Sequence, residues 1–349
     1  MKDYLDRKLR RVEFYARGVI RDLIPTRFLS SRRLKRYRDL ASRLPDRDLC
    51  FRVNYYNKVT HGFSLDPAAV ATAKIAIKHS YYYYDLKEYT KCFDSSLRLE
   101  YLFGDVTHVP PRPTIVKSRP IGGGNQNSVI MKLDKLRHFH MFARRDKTPF
   151  REKASRAAWR GALNSSVRQS LVDRYSASAR HDIGYVGRRT GQAAPKEFLS
   201  VDRQLQNRYL LAPEGIDVAS NLKWIMASKS LCLMPRPRYE TWLMEGRLIA
   251  GQHFVEVRPD FADLDEKVDY FDRHLEEAEA IIANANSYLQ QFADTEREDL
   301  ISVLVLQKYF ERSGQLPPEP FSAELFQPRA DMGDPASSQT HHGCFLDEG

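Results

Sequence analysis

One loop concentrates the residues with the clearest chemical potential. Between the apolar runs "YLL" and "LCLM" lies "APEGIDVASNLKW", residues 212–224. Gly215 permits a tight backbone turn. Ser220 and Asn221 can cap a helix or bond a phosphate oxygen, and Lys223 adds positive charge one turn further on. A helix opening here, just after a strand, would aim free N–H groups and the positive end of its dipole at an anion. Phosphate binding is therefore the chemistry on offer. Neither G-x-G-x-x-G nor G-x-x-x-x-G-K-[ST] occurs, so an ordinary dinucleotide fingerprint and a P-loop are both absent. A plain strand–helix–strand unit would read the same way.

The elements that must position this loop alternate in kind. "EYLFGDVTHVP" and "PTIVKSRPI" read as strands running into loops, and "SVIMKLDKLRHFHMFAR" as strand then helix. "SRAAWRGAL" reads as strand into turn, "SSVRQSLVDRYS" as helix and "HDIGYVG" as strand. After the 212–224 loop, "HFVEVRPDFADLDEKVDYF" gives a strand and a helix starting near Asp263, and further helices span about 276–292 and 297–312. Strands alternating with helices imply an α/β fold with parallel sheets. Two such halves imply two Rossmann-like domains. The expected layout is a basic helical segment at 1–47, an N-terminal domain at 48–153, a C-terminal domain at 154–293, a helix at 294–313 and a disordered acidic tail at 314–349.

Charge is unevenly spread over the 349 residues. The net charge is +10, but residues 1–47 alone hold 15 Lys/Arg against 6 Asp/Glu, and residues 315–349 hold one Arg against 6 acidic residues. The N-terminal surface is thus built to meet something anionic. Apolar positions at Leu5, Leu9, Val12, Ala16, Val19, Ile20 and Leu23 have helical spacing, with basic residues between them, and Pro25 stops the pattern. A second basic helix covers Ser31–Leu44. A basic amphipathic helix either lies in a membrane interface or rests on its own domain with a solvated basic face. Nucleic acid is not an expected partner, because the basic residues are confined to this segment and no recognition module is visible. No apolar run is long enough to cross a bilayer, and residues 1–18 lack the apolar core of a secretory signal. Cys50, Cys92, Cys232 and Cys344 form no C-x-x-C pair, so a reducing cytosol is the expected compartment. His138 and His140 fall on different faces of a helix and His341 and His342 lie in the tail, so no metal site is assigned.

Several ordered segments together resemble glycosyltransferase family 90. They are "YLLAPEGIDVASNLKWIMASKSLCLMP", "RYETWLMEGRLIAGQHFVEVRPDFADLDEKV", "GDVTHVPPRPTIVKSRPIGGGNQNSV" and "WRG". The resemblance runs from about Tyr81 to Phe292 and is nearest to the bacterial lipopolysaccharide core branch. The family also includes protein O-glucosyltransferases and capsule-associated xylosyltransferases. It implies a GT-B fold, two Rossmann-like domains facing across a cleft, with the sugar nucleotide mainly on the C-terminal one.

The same resemblance implies inverting transfer of a hexose from a UDP-sugar to a hydroxyl of a lipopolysaccharide-type oligosaccharide, without cofactor or obligatory metal. "GDVTHVP" places Asp105 at the general-base position, where the acceptor hydroxyl must lose its proton. "WRG" places Arg160 and Gly161 at the diphosphate, together with Gly215, Ser220, Asn221 and Lys223. Asn221 stands where eukaryotic relatives carry an Arg. Glu240 is implied at the ribose, and Lys117 and Arg119 at phosphate or acceptor. A capsular glycan or a protein Ser is the alternative acceptor; a basic binding protein without catalysis is the rival of another class. The implied location is cytoplasmic, peripheral on the inner membrane, with residues 1–24 on the anionic surface.

Overall fold

A computed structural model describes residues 2–24, 26–43, 46–138, 146–189 and 193–327. The chain opens with three helices, α1 (Lys2–Leu23), α2 (Thr26–Arg43) and α3 (Arg47–Tyr56). The Asp46 carboxylate caps α3 by accepting the Leu49 N–H at 2.7 Å. Strand β1 (Val70–Ala71), helix α4 (Ser80–Thr90) and strand β2 (Arg98–Leu99) follow, with β1 and β2 antiparallel. Next come β3 (Thr114–Val116), β4 (Arg119–Pro120), β5 (Ser128–Ile130) and the short α5 (Lys135–His138); β3 and β5 run parallel and are buried throughout.

The second half is a regular α/β unit. Its elements are β6 (Ala154–Gly161), α6 (Ser166–Tyr175), β7 (Asp182–Tyr185), α7 (Val201–Gln204), β8 (Asn207–Leu211), α8 (Leu222–Met226) and β9 (Leu231–Met234). Then follow β10 (Tyr239–Glu240), β11 (Val255–Glu256), α9 (Leu264–Arg273), α10 (Leu275–Gln290), α11 (Thr295–Arg312) and α12 (Ser322–Leu325). Five strands form one parallel sheet in the order β11-β9-β8-β6-β7. From β6 the chain steps to β7 on one side, then to β8 on the other. The loops leaving β6 and β8 therefore diverge, and the crevice between them is where ligands settle in open parallel sheets.

Side-chain alternation along the strands divides the interior. Ala157, Trp159, Tyr209, Leu211, Leu231 and Leu233 face one cluster with α6, α9 and the start of α10. Ala158, Leu210, Cys232 and Met234 face the other, which continues through α8 into the N-terminal helices and α11. The halves thus share a core, and β10 pairs with β4 across them. Helix α11 carries no solvent face from Leu300 to Phe310, where every residue is buried.

Two expectations are revised. The N-terminal half does not contain a second large sheet among its described residues; its parallel pair is three residues per strand. Prolines 110, 111, 113 and 120 and glycines 122–124 interrupt the extended runs before they can lengthen. The segment 314–327, expected to belong to a disordered tail, is folded. Phe321, Leu325 and Phe326 are buried in the larger core, and Asn54 donates to the Leu325 carbonyl at 2.8 Å. The apolar spacing within "PFSAELF" outweighs the acidic composition around it. Residues 328–349 lie outside the described residues, as do His140, His341, His342 and Cys344.

Candidate active site

"KSRP", residues 117–120, organises the site from the N-terminal side. Lys117 is buried, its side chain 2% exposed, and its ammonium lies 2.5 Å from Asp105 and 2.7 Å from Asp217. Asp105 belongs to the N-terminal half and Asp217 to the loop after β8, so one lysine joins the two. Asp217 is 4% exposed while Asp105 keeps 23% of its side chain open. Backbone geometry holds Asp105 in place from both sides. Gly104 before it has φ of +115°, a conformation that suits glycine. After it, the Ser118 hydroxyl donates to the Val106 carbonyl at 3.1 Å and accepts the Val106 N–H at 3.2 Å.

Behind this pair the charge continues inward. Asp134, fully buried at φ of +58°, lies 3.3 Å from Arg137 and 3.6 Å from His138. Burial is the main cause that pushes its carboxyl up to about 6, with Arg137 and Lys117 opposing. Burial and the neighbouring Lys223, Lys117 and Arg137 hold His138 well below its ordinary range, so it is neutral. Two carboxylates thus share the buried Lys117, and a third, Asp134, feels its charge.

The crevice between the β6 and β8 loops is filled by Arg168, which the sequence reading passed over. Ser165 caps α6 by accepting the Arg168 N–H, and its hydroxyl donates to the Glu214 carbonyl at 2.7 Å. The Arg168 guanidinium donates to the carbonyls of Pro213 and Ala162, at 3.2 and 3.0 Å, and to Asn164 at 2.8 Å. A Cβ on Gly215 would meet its Nη2 at 3.1 Å. Gly215 thus lets the backbone pass close beside the Arg168 guanidinium, and its φ is not left-handed. Burial lowers the Arg168 pKa to about 10, which leaves it charged at neutral pH. Only the position of Arg168, in the first turn of the helix after "WRGALNS", could have marked it in the sequence.

The other expected donor contacts divide. Arg160 donates to Asp182 at 2.5 Å and to the Glu197 carbonyl at 3.0 Å, which ties β6 to β7 and turns it from the crevice. Gly161 gives room to the Trp159 indole, which a Cβ there would meet at 2.7 Å. Asn221 donates to the Leu211 carbonyl at 2.8 Å and makes no side-chain cap. Ser220 precedes α8, which is only five residues long and so has a weak dipole. Lys223 is buried against Glu245 at 2.9 Å. Glu240 and Arg119 pair at 2.7 Å, and Tyr55 donates to the same carboxylate. The structure brings Asp105, Lys117 and the Gly215 loop together; it places Arg160, Lys223, Arg119 and Glu240 in ion pairs of their own. Two D-x-D spacings also serve the fold. Asp46 and Asp48 hold Arg297, at 2.6 and 2.9 Å. Asp263 accepts the Arg258 N–H at 2.9 Å, and Asp265 holds His181 at 3.0 Å.

The N-terminal helix does two things at once. One face of α1 docks on α4: a Cβ on Gly18 would lie 2.5 Å from the Tyr84 ring, Tyr15 and Ser80 hydroxyls are 3.0 Å apart, and Arg21 meets Glu88 at 3.1 Å. The opposite face leaves Leu9, Val12, Val19, Ile20 and Leu23 exposed, Leu23 to 77%. No described helix is long and apolar enough to cross a membrane.

Comparison with known proteins fits this arrangement. Residues 125–325 match the pattern of glycosyl transferase family 90. Over 310 residues the chain is 44% identical to the O-glucosyltransferase LpsA of Dichelobacter nodosus, a match covering 87% of this chain and 96% of that protein. With these two matches, the chain belongs to glycosyl transferase family 90 and is a glycosyltransferase.

Proposed function

We propose that this glycosyltransferase transfers a hexose, glucose by the relative's name, from a UDP-sugar to a hydroxyl of a lipopolysaccharide-type oligosaccharide, with inversion. The observation that carries the proposal is Asp105, part-open to solvent and joined through Lys117 to the Gly215 loop. In this reading the acceptor hydroxyl gives its proton to Asp105 as its oxygen attacks the anomeric carbon. The bond from that carbon to the β-phosphate oxygen breaks, and its electron pair leaves with UDP. Lys117 holds the carboxylate in place by a direct ion pair, so that its open oxygen can meet the acceptor hydroxyl. Arg168, whose Nε and Nη1 are fixed by backbone carbonyls while Nη2 lies beside Gly215, is the better placed cation for the leaving diphosphate, in preference to Arg160. No metal is needed for the proton or leaving-group steps so described.

The acceptor of such an enzyme is carried by a lipid, and the exposed face of α1 supplies the matching surface. An apolar stripe flanked by Lys8, Arg10 and Arg17 fits the boundary of an anionic bilayer, placing the enzyme peripherally on the inner leaflet. The test is direct. Purified protein is incubated with UDP-glucose and other UDP-hexoses and a truncated lipooligosaccharide, and the product is analysed by mass spectrometry and anomeric NMR. One added hexose of inverted configuration is expected. Retained configuration would remove Asp105 from the role of base, and transfer from no UDP-sugar would remove the donor.

A further inference from the structure

A cavity of about 430 Å³ lies between α1 and helices α4 and α5. Four cations line it, Arg10, Arg17, Arg21 and Lys135, against two carboxylates, Glu13 and Glu88. Its apolar wall is Phe14, Gly18 and Tyr84. Arg21 and Lys135 both hold Glu88, at 3.1 and 2.9 Å, which fixes the inner end. Arg17, on the rim, reaches only Glu13 of its own helix, at 2.5 Å with both side chains largely exposed. Pairs of that kind are worth little in water and yield readily to a better anion.

The helix phase sets where this cavity opens. At about 100° per residue, the exposed stripe of Leu9, Val12, Val19, Ile20 and Leu23 occupies one side of α1. The cavity residues Arg10, Glu13, Phe14, Arg17, Gly18 and Arg21 take the flank between that stripe and the face docked on α4. With the stripe sunk at the acyl boundary, the rim stands at the level of the headgroups. A phosphate carried on an apolar chain would then meet Arg10 and Arg17 from above, while its chain follows the stripe. A free anion gains nothing from the stripe.

From this juxtaposition we infer that the cavity between α1 and the α4–α5 pair is a binding site for the phosphate headgroup of an anionic membrane lipid. The inference rests on the membrane reading of α1 and adds a specific site to it. Bound there, the lipid would fix the rotation of the enzyme on the surface, and so the direction in which the sugar-transfer site faces.

The experiment uses the full chain and vesicles of phosphatidylcholine doped with either phosphatidic acid or phosphatidylglycerol at matched surface charge. Phosphatidic acid presents a small phosphomonoester; phosphatidylglycerol buries its phosphate beneath glycerol. The full chain should prefer phosphatidic acid. R10Q/R17Q should erase that preference, weakening phosphatidic acid binding by roughly five-fold per cation. K8Q/K35Q, an equal charge loss outside the cavity, should weaken both kinds alike. V12S/V19S/I20S should lose both. Equal behaviour of R10Q/R17Q and K8Q/K35Q would leave only general surface charge and overturn the site. Full competition by inorganic phosphate at the affinity of the lipid would overturn the lipid assignment. If the full chain binds neither vesicle at low salt, the membrane reading falls. Calorimetry with soluble short-chain phosphatidic acid then decides separately: heat abolished by R10Q/R17Q supports the site, and no heat removes it.

Discussion

Lys117 and Arg119 stand two residues apart in "KSRP", and both are buried cations held by carboxylates, yet they differ in one respect. Arg119 is saturated: it donates to Glu240 at 2.7 Å and to the carbonyls of Tyr55 and Ser128 at 2.7 and 3.1 Å, and its side chain is fully buried. Lys117 is shared between two carboxylates, and one of them, Asp105, faces outward. A guanidinium with its donors used up can hold two chain segments together but has nothing left for a substrate. An ammonium clamped on a part-open carboxylate fixes where that carboxylate points. On the proposed mechanism, the comparison separates a structural ion pair from a chemical one where composition and position do not.

Replacing the outward carboxylate and breaking the sealed pair should act on different observables. Asp105→Asn should lower kcat by roughly 10²–10⁴ while leaving the thermal midpoint near that of the parent; parental turnover would end its role as base. Arg119→Met should strand Glu240 as an unpaired buried carboxylate and cost about 3–5 kcal/mol in urea unfolding. Activity should fall only as the folded fraction falls. A stable Arg119→Met protein with lost turnover would collapse the distinction between the two cations.

A finer test addresses Asp217. Removing its charge leaves Lys117 tied to Asp105 alone and unties the base from the Gly215 loop. Asp217→Asn should therefore reduce kcat by roughly tenfold with little loss of stability, as a loss of positioning does. Unchanged turnover would make Asp217 purely structural.

The smallest effect concerns Asp134. Its carboxyl is pushed up to about 6 in the fold from an ordinary 3.8, so the folded state binds the proton more tightly. The stability this gives is fully present below about pH 4 and is lost as pH rises to about 6. Asp134→Asn keeps a residue type that tolerates the positive φ and cannot ionise. Its thermal midpoint should gain on the parent between pH 4 and pH 6 and run parallel above. A constant difference across that window would contradict the burial of this charge.

Much of the second half was legible in advance. The runs at β8 and β9 are short, apolar and bounded by turn residues, and both are buried strands, because parallel strands covered on both faces need no polar alternation. The first half was harder, since strands of two or three residues leave no period to read. At the site, Asp105 and the Gly215 loop were visible through resemblance. Arg168 and Asp134 were not, because an arginine or aspartate on a polar stretch looks the same whether it faces solvent or a buried crevice.

The sequence by itself determined the order of strands and helices, the amphipathic period of α1 and the set of charged residues available to a site. Hydrophobic spacing is local, and so it is written in the chain. Which cation meets which carboxylate was decided only by tertiary structure. Lys117 and Asp217 are one hundred positions apart, and Arg119 and Glu240 are separated by 121. Only the shared core and the β4–β10 pairing bring them within hydrogen-bond reach. The two faces of α1 show the same division: its periodicity announces an apolar stripe, but the contact of Gly18 with Tyr84 is what turns that stripe outward.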